Sequence, residues 1–263
     1  MDGAENMARD EALMRACAHG ARPTLRLYGW KRPTLSLGAH QPGSDADLRA
    51  CRERGVDLVR RPTGGGAVLH HLEVTYSVSG RLGEAPLPSS VLGIYDRISE
   101  ALVAGLGRLG VGAEAVRASS RGRAPADCFK AQSAREIVVH GRKLVGSAQV
   151  RRKGVFLQHG SVLLDLDRAL LAIVLRPGRE RDGTGEPPGG PGPMTLLEAL
   201  GRSPSRDEVH DAIAAGFTAA LGCVLEPGAL TEEEAALVAS LRAFKYLDAV
   251  WTLEGREREA SGG

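Results

Sequence analysis

The chain has no apolar run approaching the roughly 20 residues that a membrane-spanning helix needs, and no Cys-x-x-Cys pair. Its four cysteines, Cys17, Cys51, Cys128 and Cys223, are scattered, which argues against a motif-built metal site and against a disulfide framework. Aromatic residues make up only 4%, too few for the stacking platforms that hold single-stranded nucleic acid. Charge of one sign is missing as well: 34 Lys and Arg against 32 Asp and Glu leave a formal net charge of +2. A nucleic-acid partner calls for a concentrated basic face, so none is expected, although a local basic patch could receive an acidic protein. Residues 1–20 read as an amphipathic helix carrying Asp10, Glu11 and Arg15 rather than as a signal peptide. The expected location is the cytoplasm, with reduced thiols and no membrane partner.

What is present is ordinary globular composition, 43% hydrophobic and 25% charged over 263 residues, enough to bury a sizeable core in one large domain or one domain with an appendage. Helical periodicity is predicted for Asn6–Cys17, with Met7, Leu13 and Met14 on or near one face, and for Asp45–Arg54. Ser90–Leu109 is the clearest helix: Val91, Tyr95, Ile98, Leu102, Leu106 and Leu109 recur at spacings of three and four. Strands are predicted at Thr24–Tyr28, Thr34–Leu37, Val56–Arg60, Glu136–Val139, Lys143–Gln149 and Val155–Leu164, with a helix resuming at 168–175. Val68–Leu69 and Glu73–Ser79 read as the two strands of a hairpin. Residues 119–126 read as a polar loop leading into Cys128. From 177 to 193 the chain is rich in Gly, Pro and charge, with nothing to bury. The expected organisation is therefore a mixed α+β domain over 1–176, a linker over 177–193 and a helix-rich lobe over 194–263 that packs on the first domain. Ser205 with Glu208, and Thr231 with Glu234, fit the helix-capping pattern S/T-x-x-E, and Val209, Ile213, Phe217 and Leu221 form one apolar stripe.

Three runs carry chemistry. In RRPTGGGAVLH (60–70), Gly64, Gly65 and Gly66 leave a predicted strand, and three residues without a Cβ allow a ligand to approach the backbone. Arg60, Arg61 and His70 flank them with donors. The run lacks the GK[ST] of a phosphate loop. Cys128 differs from the other three cysteines, which read as inert core residues, because it follows a polar loop and lies between Asp127 and Phe129 in the sequence. A thiol is the best side-chain nucleophile near neutral pH, and a nearby cation raises its thiolate fraction. Lys143, in GRKLVGSAQ (141–149), could supply that cation, although a lysine at a turn is by default solvated. His159, in LQHGSVLLDLD (157–167), reads equally as a structural donor or as a catalytic base.

These blocks, in this order, resemble the biotin/lipoate protein ligase superfamily, and most of all its cysteine-dependent octanoyltransferase branch. GAENMARDEAL (3–13) and KYLDAVW (245–251) add to the likeness, which spans nearly the whole chain apart from the Gly/Pro segment and the tail. The resemblance implies a mixed β-sheet flanked by helices, similar to class II biotin synthetases, with 1–176 as an acyltransferase catalytic domain. It implies transfer of an octanoyl group from octanoyl-acyl carrier protein to a lysine of a lipoyl domain, such as glycine cleavage H protein, in lipoate biosynthesis. Cys128 matches the acyl-accepting cysteine and Lys143 the lysine that faces the acyl carbonyl. Arg61, Gly64, Gly65, Gly66 and His70 match the loop lining an acyl tunnel, and Gly146, Ser147, Ala148 and His159 match its opposite wall. No cofactor and no metal are implied, and a monomer is expected. His71 stands where an aspartate is frequent, and CFKAQS (128–133) lacks a proline often found there. Three other functions stay open at this point: an ATP-dependent lipoate–protein ligase, in which Cys128 is incidental; an amidotransferase between lipoyl domains; and a non-catalytic lipoyl- or carrier-binding protein.

Overall fold

A computed structural model describes residues 1–117, 135–175 and 192–257. Cys128, the expected loop at 119–126 and residues 177–191 of the expected linker lie outside the described residues. Among the described residues, nine strands form two sheets. β1 (Thr24–Tyr28), β5 (Glu73–Arg81), β9 (Val155–Leu163), β8 (Arg142–Arg152), β7 (Arg135–Val139) and β6 (Glu114–Arg117) make a six-stranded antiparallel sheet in that spatial order. β3 (Asp57–Arg60), β2 (Thr34–Leu37) and β4 (Val68–His70) make a three-stranded mixed sheet, with β2 parallel to β3 and antiparallel to β4.

The long central strand β5 explains the layering. Alternate residues of a strand face opposite ways, and here Val74, Tyr76 and Val78 join one core with Ile94, Ile98, Leu102 and Leu106 of α3 (Val91–Arg108). Val209, Ile213 and Phe217 of α6 (Arg206–Leu221) enter the same core from behind α3. The other face of β5 carries Glu73, Thr75 and Ser77, all buried. A strand that is apolar on one side and polar on the other, yet covered on both, must satisfy its polar groups internally. They meet α1 (Gly3–Cys17) and the small sheet, and that polar layer holds the site.

α1 begins at Asp2, whose carboxylate accepts the Glu5 N–H at 2.8 Å. Its Met7, Leu13 and Met14 are buried as the periodicity predicts. Asp10 and Glu11, however, do not form a solvated face: both are fully buried. α7 (Glu232–Leu241), a π-helical turn at Arg242–Tyr246 and α8 (Ala249–Glu254) pack over α1. Glu11 is thereby enclosed with Lys245 at 3.0 Å, and Tyr246 donates its hydroxyl to the same carboxylate. This pairing ties the sequence block at 3–13 to the one at 245–251.

Two expectations need correction. Val68–Leu69 and Glu73–Ser79 are not a hairpin: β4 pairs with β2, while β5 lies between β1 and β9. The two residues between them carry the chain from one sheet to the other, and the Leu72 carbonyl accepts N–H bonds from Leu164 and Asp165 there. At Thr231 both halves of the capping box form, but at Ser205 only one does. Ser205 Oγ accepts the Glu208 N–H at 3.1 Å, while the Glu208 carboxylate turns to Arg202. β6 was not predicted, because its four residues carry no alternating pattern and owe their form to pairing with β7. The helix predicted over Asp45–Arg54 is shorter, α2 (Leu48–Glu53), capped by Asp47.

Candidate active site

The glycine run connects β3 to β4 and is held from beneath by Arg61. The buried guanidinium donates to the Ser36 carbonyl and hydroxyl at 3.0 and 2.9 Å, and to the carbonyls of Gly64 and Gly66 at 2.9 and 2.7 Å. Burial, with Arg60 adjacent, pulls its pKa down to about 10, so it stays charged at neutral pH. Gly65 has φ +96°, a conformation that side chains with a Cβ rarely adopt. Arg60, expected as a second donor to this loop, points elsewhere. It donates to the Gly38 and Gln41 carbonyls, both at 2.6 Å, and to those of Trp251 and Leu253 at 2.9 and 3.1 Å. Arg60 is a strut between the loop and α8.

Two histidines are fixed by the polar layer under β5. Asp10, reaching in from α1, accepts from the Tyr28 hydroxyl at 2.8 Å, the Ser77 hydroxyl at 2.7 Å and His159 Nδ1 at 3.0 Å, and it is paired with Arg26. Burial opposes its charge, but Arg26 and the donated hydrogen bonds outweigh burial and hold the carboxyl below its usual range. An ionised carboxylate only accepts, so Nδ1 of His159 carries the proton. Its Nε2 lies 2.6 Å from the Thr63 hydroxyl in the glycine-run loop. His70 stacks on Trp30 with ring centroids 4.0 Å apart. Its Nε2 lies 2.9 Å from the Ser36 hydroxyl and its Nδ1 3.3 Å from that of Ser161. Burial pushes the His70 pKa below 6.5 despite Glu73 nearby, so this ring is neutral at pH 7. Asp10 and Thr63 were missed in the sequence: Asp10 reads there as helix surface, and nothing local marks Thr63 as its distant partner.

The opposite wall is the β8–β9 ladder, in which Gly146, Ser147 and Ala148 stand across from Ser161, Gly160 and His159. A Cβ at Gly160 would lie 2.2 Å from the Gly146 carbonyl oxygen and 2.8 Å from the Tyr76 ring, so only glycine fits this close approach. Lys143, near the start of β8, is largely buried, with Nζ 2.8 Å from Glu136 Oε1. Glu136 follows Arg135, which pairs with Arg117 at the open end of the β6–β7 hairpin.

Between these walls lies a cavity of about 550 Å³, counting the space at its open mouth, within the usual range for small-ligand sites. It brings together Arg61, Gly65, Gly66, His70, Lys143, Gly146, Ser147, Ala148 and His159. Gly64 is not on its wall, and its carbonyl is engaged by Arg61. Met7, Tyr28 and Trp30 also line it, giving part of the wall an apolar character. Among the described residues, no group of three or more His, Cys, Asp or Glu could hold a metal ion. Nor is any helix there long and apolar enough to cross a membrane. An extended apolar chain with a polar, reactive head suits such a chamber.

Residues 2–218 match the family model described as the lipoyl protein ligase A/B catalytic domain. The chain belongs to this family. It is 49% identical to an octanoyltransferase LipM of Kyrpidia tusciae, over 94% of this chain and 93% of that protein. It is 46% identical to one of Symbiobacterium thermophilum, over 93% and 92%. Among solved structures it resembles a lipoate-protein ligase A bound with ATP, with a TM-score of 0.78 and 27% identity over 97% of this chain and 95% of that one. It also resembles a bi-partite lipoate protein ligase from Thermoplasma acidophilum, with a TM-score of 0.77 and 26% identity over 97% and 93%. The fold is thus the lipoate ligase fold, similar to class II biotin synthetases. Within this family member, Gly65 and Gly66 of the glycine run, both histidines and Lys143 face one chamber.

Proposed function

We propose that this chain moves an octanoyl group by way of a thioester on Cys128. It is an octanoyltransferase of lipoate biosynthesis, on the strength of relatives so named at 46–49% identity over nearly the full chain. The covalent route is our reading. The observation that carries it is the cavity with Lys143 on its wall, its ammonium paired with Glu136, eight positions after Cys128 in the sequence.

In the first half-reaction the Cys128 thiolate attacks the thioester carbonyl of octanoyl-acyl carrier protein. A tetrahedral oxyanion forms and collapses, the carrier thiolate leaves, and octanoyl-Cys128 remains. One thioester replaces another, so no nucleotide is consumed. In the second half the ε-amine of a lipoyl-domain lysine attacks that carbonyl; the amide forms, the C–S bond breaks and the amine's proton is released. Lys143 raises the thiolate fraction of Cys128 and holds the oxyanion as charge develops. Loss of such a donor costs on the order of 100- to 1000-fold in turnover. The octanoyl chain lies against Met7, Tyr28 and Trp30, where burial contributes about 0.8 kcal/mol per CH₂. His70 is a neutral wall clamped by Ser36, and His159 is clamped between Asp10 and Thr63. The donor is octanoyl-acyl carrier protein and the first-choice acceptor is glycine cleavage H protein. The enzyme acts as a monomer in the cytoplasm.

Incubation with octanoyl-acyl carrier protein, without ATP, tests this by intact mass. One added octanoyl group is expected, absent in Cys128→Ala and much slower to form in Lys143→Ala. Modification of a lipoyl domain only with free acid and ATP would overturn the proposal in favour of a ligase.

A further inference from the structure

A second cavity, about 490 Å³ with its open space counted, abuts the first and shares Val68, Lys143, Gly146 and Ser161 with it. The strand register fixes how the two are arranged. The first chamber runs along β8 and β9 from the Ala148/His159 row to the Gly146/Ser161 row, and the second continues past it to Leu144 on β8 and Leu163 on β9. At about 3.4 Å per residue, the two span about 14 Å end to end, with Lys143 on the wall of both. Apart from the shared positions, the second chamber's described wall is hydrocarbon, including Leu69, Leu163, Leu166 and Leu171. It is flanked by the free edge of β4 and by α4 (Arg168–Val174).

Resting on the proposed acyl-Cys128 route, we propose that this second chamber is the delivery channel for the reacting arms: a slender, unbranched chain tipped by a thiol in the first half-reaction and by a primary amine in the second. The leaving thiol and the attacking amine occupy the same position relative to the acyl carbonyl, so one channel serves both in turn. The acyl chain fills the first chamber and leaves the second open. The four methylenes of a lysine stem match an apolar wall, which would be a poor lining for a charged substrate.

The wall has a chemical consequence for the second half-reaction. An ammonium cannot attack a thioester, and desolvation in hydrocarbon disfavours the charged form of a lysine. The Lys143 cation adds like-charge repulsion from β8. Four carboxylates on neighbouring elements have partners among the described residues. Glu136 on β7 holds Lys143. Asp165 and Asp167 accept the N–H groups of Leu166 and Leu170, each at 2.8 Å. Glu198 of α5 (Leu196–Leu200) pairs with Arg142 of β8. From β4, His70 is neutral and bonded to Ser36. The channel therefore admits the amine in its neutral form, its proton passed to bulk water at the mouth, without a dedicated base.

Two substitutions at the half-buried Leu166 test this, with each half-reaction followed separately by intact mass and folding checked by thermal denaturation. Leu166→Trp narrows the channel; both loading from octanoyl-carrier and transfer to an unlipoylated lipoyl domain should slow at least about tenfold, with the preference among six-, eight- and ten-carbon donors unchanged. Leu166→Glu places a carboxylate beside the amine; the pH midpoint of transfer should rise by about one unit, with that of loading fixed, and n-butylamine as a minimal acceptor should show the same rise. A changed chain-length preference would instead make this chamber the seat of the acyl tail. Unaltered rates and pH midpoints in folded variants would also overturn the channel, with the thioester route intact. Absence of any octanoyl adduct on the unsubstituted enzyme would remove the thioester route itself.

Discussion

Replacing Asp10 by Asn should be the most damaging single conservative change in the polar layer. The carboxylate receives Arg26, Tyr28, Ser77 and His159 together, and it is fully buried. Asparagine is nearly the same size but offers one acceptor oxygen where there were two, and turns an N–H group toward groups that are themselves donors. The Arg26 guanidinium, only 13% exposed, keeps its charge and loses its counter-ion. Removing one partner of a buried pair costs about 3–5 kcal/mol, a large part of the roughly 5–15 kcal/mol that holds a protein folded. Urea denaturation should show the midpoint falling by that equivalent with the slope unchanged. The difference should also depend on pH. Because the folded-state pKa of Asp10 is lowered from 3.8, its stabilisation is fully present above pH 3.8 and is lost as pH falls through the depressed value. The gap between the two proteins should thus be widest near neutrality and narrow below about pH 4. Tyr28→Phe, which removes one hydroxyl donor and no charge, should cost only about 1–2 kcal/mol. A loss under about 1 kcal/mol for Asp10→Asn, or a gap that does not vary with pH, would refute the reasoning.

Gly160→Ala should force β9 away from the Gly146 carbonyl, costing about 1–3 kcal/mol in denaturation and abolishing acyl transfer, since Gly160 lines the first chamber and Gly146 lines both. Arg60→Lys should lower the urea midpoint by the equivalent of about 2–4 kcal/mol, because an ammonium cannot bridge the Gly38 and Gln41 carbonyls to those of Trp251 and Leu253; an unchanged midpoint would count against the strut. In Glu136→Gln the partly exposed pair with Lys143 should cost under about 1 kcal/mol of stability, yet steady-state turnover should fall about 10- to 100-fold with KM little changed, because the ammonium loses its guide. Equal turnover in that variant would show that Lys143 is held by something else.

Local pattern was enough wherever one face of an element is apolar. The α3 stripe and the alternation of β5 were legible because burial there follows periods of 3.6 and 2, and neither depends on which partner does the covering. The glycine run was legible as a loop that some ligand or backbone must approach. The partner of β4 was not, since a two-residue connection can turn back into a hairpin or cross between sheets, and only the packing of the two sheets chooses. The fate of Arg60 was equally hidden. Its acceptors are bare carbonyls at 38, 41, 251 and 253, and a carbonyl has no side-chain signature.

Sequence alone therefore determined the inventory: a thiol set apart by its context, a lysine in a glycine-rich strand, two histidines, and the order of blocks that marks the family. Tertiary structure alone decided that the lysine and both histidines share a chamber, and that His70 is neutral there. Asp10 and Glu11 look like helix surface until α7, α8 and β5 close over them, and Thr63 matters only once its hydroxyl reaches His159, 96 residues on. Hydrogen bonds and ion pairs act over about 3 Å regardless of separation along the chain. A pattern read along the chain registers faces, whereas a site is made by contacts between them.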